Sequence, residues 1–342
     1  MTTGAVACSP GEKSAADKLD KAFDRLGEGK AVSLEVALDA SADEIHTALK
    51  DSEDGLDRED AEVLAGLKLS YGISSSKPLK TEDKKNADVN VSFKLSKKSG
   101  GELLEFRSLD KKAYVRADIK AIGGMKKPGN AKERAEKRDF DEMLRRADEL
   151  PPSMGAFRDV LKGEWVSMNS ADFEEFRKKA QEKNGGSPKE LDKKTEKQAS
   201  DALRKALTEN SRIKETGSKN GADHIEVTVS ARKAAKDLKE ALKPIESQLS
   251  AAGKGRKLPD PNDVPDQDVV FDVALKGGRL SAITFDTGRL DKDVHGKLPV
   301  TIGFGGKPEP VTAPSGAKEL KPQEMLEAIV GLAAEKDNSR SL

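Results

Sequence analysis

The sequence predicts an α+β fold built on one large antiparallel sheet of about eleven strands, with helices at the start, middle and end of the chain. Two observations carry the α+β class. Apolar residues alternate with polar ones in many short runs joined by tight Gly- or Asp-containing turns, the mark of hairpins and meanders. Segments with apolar residues three and four apart stand at the start, middle and end of the chain and read as amphipathic helices. No internal repeat of fixed period is evident.

Taken in order, the first helix runs from Ser14 to Leu26, with Leu19, Ala22, Phe23 and Leu26 on one face, Ser14 as cap and Gly27 as stop. The period then changes to two through Val32, Leu34, Val36 and Leu38. Ser41 and Glu44 form a capping box for a short helix carrying Ile45, Ala48 and Leu49. Asp51 to Asp60 reads as an acidic loop. Strands follow at Leu67–Leu69–Tyr71–Ile73 and Val89–Val91–Phe93–Leu95. Gly100-Gly101 leads into Glu102 to Leu109, and Asp110-Lys111-Lys112 into Ala113 to Ala117.

From about 122 to 210 the pattern turns helical. Asp139 to Leu150 stops at Pro151-Pro152, and Met154 to Leu161 follows. A strand at Trp165 to Met168 precedes a helix capped by Ser170 with Phe173 and Phe176. Ser187-Pro188-Lys189-Glu190 combines a capping box with a proline at the first helical position and starts the run through Leu207. Arg212 to Thr216 and His224 to Val229 form a hairpin around Gly217 to Gly221. A helix from Ala231 to Leu249 and a Pro-rich linker, Pro259 to Pro265, precede the strands Val269 to Leu275 and Leu280 to Asp286, joined at Gly277-Gly278. Val300, Ile302 and Phe304 give the last strand, and Pro322 opens a terminal helix. Residues 1–13 read as a tether, 14–335 as a single domain and 336–342 as a polar tail.

Composition narrows the function. The 342 residues hold 61 Lys+Arg and 61 Asp+Glu, which gives no support for a nucleic-acid-binding surface. No stretch reaches the roughly 18–20 apolar residues of a membrane-spanning helix. With one Trp, two Tyr and ten Phe, a large aromatic core is excluded. The hydrophobic share of 35% is thin for the length, as expected of a sheet whose buried face is only partly filled.

No catalytic constellation is present. His46, His224 and His295 are far apart and belong to no metal-binding pattern, so each is expected to be structural or exposed. G-x-S-x-G, P-loop and G-x-G-x-x-G motifs are absent, and the carboxylates at 51–60 and 260–268 lack the Gly and Glu of a calcium loop. No enzyme, cofactor or metal is expected. Lys126, Lys127, Lys132, Arg134, Lys137 and Arg138 are interleaved with acids, as on a solvated helix face. Their minority reading is a contact with anionic headgroups.

The single cysteine, Cys8, lies in Gly4-Ala5-Val6-Ala7-Cys8-Ser9 ahead of a short polar run. This resembles the lipobox of bacterial lipoproteins, whose cysteine is acylated and becomes the mature N-terminus. Ala5 stands where Leu is usual, and only seven residues precede Cys8, so the signal peptide reads as truncated by a downstream start or by trimming. A cysteine-tethered helix, about eleven antiparallel strands and inserted helices resemble the mycobacterial LppX/LprG lipoproteins and the related LolA-type carriers. The segments Leu161 to Met168, Ala113 to Ala117 and Gly278 to Asp286 strengthen the resemblance. The longer, highly charged middle and the fewer large aliphatic residues depart from it.

The resemblance implies an extracytoplasmic protein of an actinobacterium-like cell, monomeric and anchored to the outer face of the cell membrane through acylated Cys8. It implies a curved half-barrel sheet with helices packed on its concave face and a lipid or other amphiphile in the apolar cavity between them, while the balanced charge separately argues against a nucleic-acid partner. The candidates for lining that cavity are Leu34, Val36, Leu69, Tyr71, Val91, Phe93, Phe271, Val273, Ile283, Phe285, Ile302 and Phe304. The alternative is a surface scaffold or protein-interaction lipoprotein with a filled core and no ligand.

Overall fold

The alternating runs all form strands. The computed structural model describes residues 10–51, 55–81, 89–150, 154–169, 171–172, 193–246, 260–262, 264–289, 294–305 and 310–321. Its strands are β1 (Ala31–Leu38), β2 (Leu67–Ser75), β3 (Val89–Lys97), β4 (Glu102–Leu109), β5 (Lys112–Ala117), β6 (Val166–Asn169), β7 (Ser211–Lys219), β8 (Ala222–Ser230), β9 (Asp268–Lys276), β10 (Arg279–Asp286), β11 (Pro299–Phe304) and β12 (Lys318–Glu319). The α-helices are α1 (Pro10–Glu28), α2 (Ala42–Leu49), α3 (Arg58–Ala65), α4 (Ile119–Gly123), α5 (Ala131–Arg145), α6 (Gly155–Leu161), α7 (Lys193–Glu209) and α8 (Ala231–Leu242). The class is α+β.

The chain divides into two units: 1–29, 34–65 and 185–307 form the first, and 30–33, 66–184 and 308–342 the second. In the first, the hydrogen-bonded order is β1-β11-β10-β9-β8-β7, every pair antiparallel. The second has the order β12-β6-β5-β4-β3-β2, and the Ser75 N–H at the end of β2 donates to the Lys30 carbonyl at 2.8 Å.

Within the first unit, α1 lays Ala15, Leu19 and Ala22 on Ile225, Val273, Leu275 and Leu280, all buried. Lys18 pairs with Glu215 on β7 at 2.8 Å, which holds the Lys18 pKa above its ordinary value. At the far end of the same helix, Arg25 Nη1 donates to the Gly278 carbonyl at 2.7 Å in the β9–β10 turn. A second cluster joins Ile45 and Ala48 of α2, Ala61 of α3 and Leu298, with Leu38 packed against it. Helices α7 and α8 meet through Ala202 and Leu242, with Ile245 of the turn after α8 in the same cluster.

In the second unit, Ala156 and Val160 of α6 pack on Val115, Val166 and Met168. The segment 310–321 is held by several contacts. Val311 N–H donates to the buried Ser74 Oγ at 2.9 Å, Arg107 donates to the Thr312 carbonyl at 2.8 Å, and Lys318 pairs with buried Asp159 at 2.7 Å.

Several details correct the sequence expectation. The described residues form twelve strands, and β12 runs parallel to β6, so the sheet is mixed. A two-residue strand is too short to show alternation. The acidic loop 51–60 ends instead in α3, because Asp57 Oδ1 accepts from the Asp60 N–H at 2.8 Å and acidic residues suit a helix's first turn. Helix α5 starts at Ala131 and not Asp139, since Asn130 caps it by accepting from the Glu133 N–H at 2.9 Å. Regular helix in α8 stops at Leu242, where Lys243-Pro244-Ile245 tightens into a 3₁₀ turn. The starts at Ser170 and Ser187, Phe173, Phe176 and the helix from Pro322 lie outside the described residues.

Candidate functional site

Antiparallel register decides which side chains share a face, since alternate residues point the same way. In the first unit one cross-strand row reads Val36–Ile302–Ile283–Val273–Ile225. The next reads Leu38–Val300–Phe285–Phe271–Val227–Ile213. Leu34 pairs with Phe304 beside the first row. The structure thus brings Leu34, Val36, Phe271, Val273, Ile283, Phe285, Ile302 and Phe304 onto one face.

Cover on that face is uneven. Helix α1 seals Val273 and Ile225, and Ile283, Phe304, Val227 and Ile213 pack against the margin of that cluster. The α2–α3 pair covers Leu38. Between them Leu34, Val36, Ile302, Phe271 and Phe285 stay half-buried and join neither cluster. Phe271 and Phe285 form a tilted ring pair with centroids 5.1 Å apart.

The second unit has its own apolar face. Tyr71–Phe93–Phe106–Val115–Val166 forms one row and Leu69–Leu95–Leu104–Ala117 another, and Ile73 pairs with Val91. Here α6 covers the Val115–Val166 end. Leu69, Val91 and Phe93 are half-buried, and Tyr71 is 37% exposed. Cys8 lies outside the described residues.

A polar cluster escaped the sequence reading. Glu105, 3% exposed, accepts from Arg107 Nε and Nη2 at 2.9 and 2.6 Å and from Arg116 Nη2 at 3.0 Å. Both guanidinium groups lie against the ring of Trp165, 4.9 and 5.0 Å from its centroid. The pairing of Glu105 with Arg116 across β4 and β5 is a register fact that alternation within each strand could have suggested. The approach of Trp165 depends on tertiary structure.

The histidines have separate surroundings. His224 Nδ1 lies 2.9 Å from Asp272 across the β8–β9 ladder, His46 is half-buried on α2, and His295 is exposed. Among the described residues no group of three or more His, Cys, Asp or Glu is placed to hold a metal, and no helix is long and apolar enough to cross a membrane.

No family model and no curated protein matches the chain. Among solved structures it is similar to the lipoprotein LppX of Mycobacterium tuberculosis, at 9% identity and a TM-score of 0.32, over 89% of this chain and 100% of that one. It is also similar to LprF of Mycobacterium bovis, at 10% identity and a TM-score of 0.33, over 89% of this chain and 98% of that one.

Proposed function

We propose that this protein is a lipid-anchored component of the cell envelope that binds the apolar part of a lipid or other amphiphile against its sheet, without catalysis. The observation that supports it is the half-buried stretch of Val36, Ile302, Phe271 and Phe285 between two sealed clusters of the first unit. Burying one such side chain completely gains roughly 1.5–3 kcal/mol, and in a half-buried row part of that gain is still available to a ligand. An alkyl chain offers no polar group that the row would leave unpaired. Acylated Cys8 would hold the protein on the outer face of the cell membrane, and stable anchoring needs more than one acyl chain.

The scaffold alternative has one observation in its favour. Helix α5 has no buried residue and carries surface ion pairs such as Lys137–Asp141 at 3.0 Å, which suits a helix that meets protein partners. Native mass spectrometry separates the readings. The carrier reading expects lipid to copurify with the gently purified protein, and Phe285→Asp to lose it while remaining folded. Protein that neither carries lipid nor takes it up when offered leaves the scaffold. Cys8→Ser is expected to move the full-length protein from the membrane fraction to the soluble one, and unchanged fractionation would overturn the anchor.

A further inference from the structure

The turn that joins β7 to β8 consists of Asn220 and Gly221. Lys219 pairs with Ala222 across it, and both turn residues have positive φ, 53° at Asn220 and 75° at Gly221, as a type I′ hairpin turn requires. Asparagine tolerates that backbone conformation and glycine adopts it freely, so the pair suits the turn. Both residues are exposed.

The same pair is chemically reactive. An asparagine's side-chain carbonyl carbon can be reached by the next residue's backbone nitrogen, and glycine leaves that nitrogen without a side chain to shield it. A Cβ added at Gly221 would meet nothing within 4 Å, so the surroundings leave the approach open as well. Other asparagines are held. Buried Asn210 donates to the Ala206 carbonyl at 2.7 Å and to Asp237 at 2.9 Å. Asn130 and Asn169 accept from the Glu133 and Ala171 N–H groups, each at 2.9 Å, and the residues that follow them, Ala131 and Ser170, carry side chains. The Asn220 side chain has no such bond among the described residues. Strand β7 ends the hydrogen-bonded order and is exposed from Lys214 to Lys219, so this end of the hairpin opens locally at low cost.

We infer that Asn220 is a site of spontaneous covalent modification, deamidation through a cyclic imide. The Gly221 backbone nitrogen gives up its proton to a base in solution and attacks Asn220 Cγ. An N–Cγ bond forms, the Cγ–Nδ2 bond breaks, and Nδ2 takes a proton from water and leaves as ammonia. Water then opens the imide at either carbonyl. One opening gives aspartate at this position, and the other gives an isoaspartyl linkage in which the main chain runs through the former side chain. In sum, one water is consumed and one ammonia released. Either product places a new negative charge at the hairpin tip. The isoaspartyl form also adds one carbon to the main chain, which a two-residue turn cannot absorb while Lys219 stays paired with Ala222. Loosening is confined to the tip, because the register already shifts between Glu215 and Gly217 and Ile225 is sealed under α1.

Full-length protein is incubated at neutral and at alkaline pH, digested, and its peptides are sequenced by mass spectrometry. Peptide-level readout separates Asn220 from the other Asn-Gly pair, Asn184-Gly185, which lies outside the described residues. The expected result is a gain of one mass unit at Asn220 at least tenfold faster than at Asn130 or Asn169, faster still at alkaline pH, with aspartyl and isoaspartyl forms both present. Hydrogen exchange of the incubated protein is expected to accelerate at residues 218–223 and to stay unchanged at 225–229. Asn220→Gly, which keeps the positive φ of the turn, is expected to show no such acceleration. Mass gain at Asn220 no faster than at Asn130, a rate independent of pH, or the same acceleration in Asn220→Gly each overturns the site. None of these readouts involves lipid, so the result stands apart from the sheet-face reading.

Discussion

Phe271 and Phe285 face each other across the β9–β10 ladder with ring centroids 5.1 Å apart and planes tilted by 37°, and both remain half-buried. One strand over, Ile225 pairs with Val273, and both are sealed beneath α1. Residues of the same face therefore do different work. The sealed ones contribute to stability, and the half-buried pair offers surface.

The difference predicts opposite outcomes for truncation. Ile225→Ala removes a fully buried side chain and is expected to cost about 2–5 kcal/mol, with little direct effect on ligand contact. Phe285→Ala, only half-buried, is expected to cost about 1–2 kcal/mol and to lower the yield of copurified lipid. Urea midpoints together with native mass spectra check both. A larger stability loss for Phe285→Ala would mean that the aromatic pair is core.

The strand faces were legible because burial on one side writes itself into alternation, as at Val32–Leu38 and Val269–Leu275. The capping box at Ser41 and Glu44 was legible for a similar reason, being complete within four residues. Pairings that cross long stretches of chain left no such trace. Nothing local shows that Val311 will bond Ser74, or that Trp165 will lie between Arg107 and Arg116. Coverage of the sheet was equally hidden, because Val273 and Phe271 follow the same alternation and only the position of α1 distinguishes them.

Glu105 is the second test. Glu105→Gln leaves Arg107 and Arg116 without their shared carboxylate, and truncating one partner of a buried ion pair costs about 3–5 kcal/mol. The guanidinium groups are partly exposed, so the lower end, about 3 kcal/mol, is expected. Glu102→Gln, at a side chain 39% exposed, is expected to cost under about 1 kcal/mol. Chemical denaturation followed by Trp165 emission compares the two, and equal costs would remove Glu105 from its central place in the cluster.

The β9–β10 turn gives a paired control. Gly277 and Gly278 both have positive φ, 58° and 68°, so alanine strains either one by about 1–2 kcal/mol. Only at Gly278 would the added Cβ lie 2.6 Å from Arg25 Nη1, while at Gly277 it meets open space. Gly278→Ala is therefore expected to displace Arg25 from the Gly278 carbonyl and release the C-terminal end of α1 as well. Hydrogen exchange should show faster exchange in the last turns of α1 for Gly278→Ala than for Gly277→Ala.

The capping box of α2 supplies a pH dependence of known sign. The Ser41 N–H donates to Glu44 Oε2 at 2.8 Å, and Ser41 Oγ lies 2.7 Å from the same oxygen. First the backbone bond and then the hydroxyl hold the Glu44 pKa below its ordinary 4.5. A depressed carboxylate pKa means that the unfolded chain takes up its proton first. The contribution of Glu44 is therefore complete above 4.5 and is lost as the pH falls through the lower folded-state value. Glu44→Gln removes this titration, so the stability gap between wild type and variant is expected to narrow between about pH 6 and about pH 3. Because Ile45 and Ala48 are buried on this helix, fraying at its N-terminus also loosens the cover over Leu38. Protection of the α2 amides, taken relative to their intrinsic exchange at each pH, should fall over the same interval in the wild type more than in Glu44→Gln, and a gap that stays constant with pH would show that the box does not hold the helix.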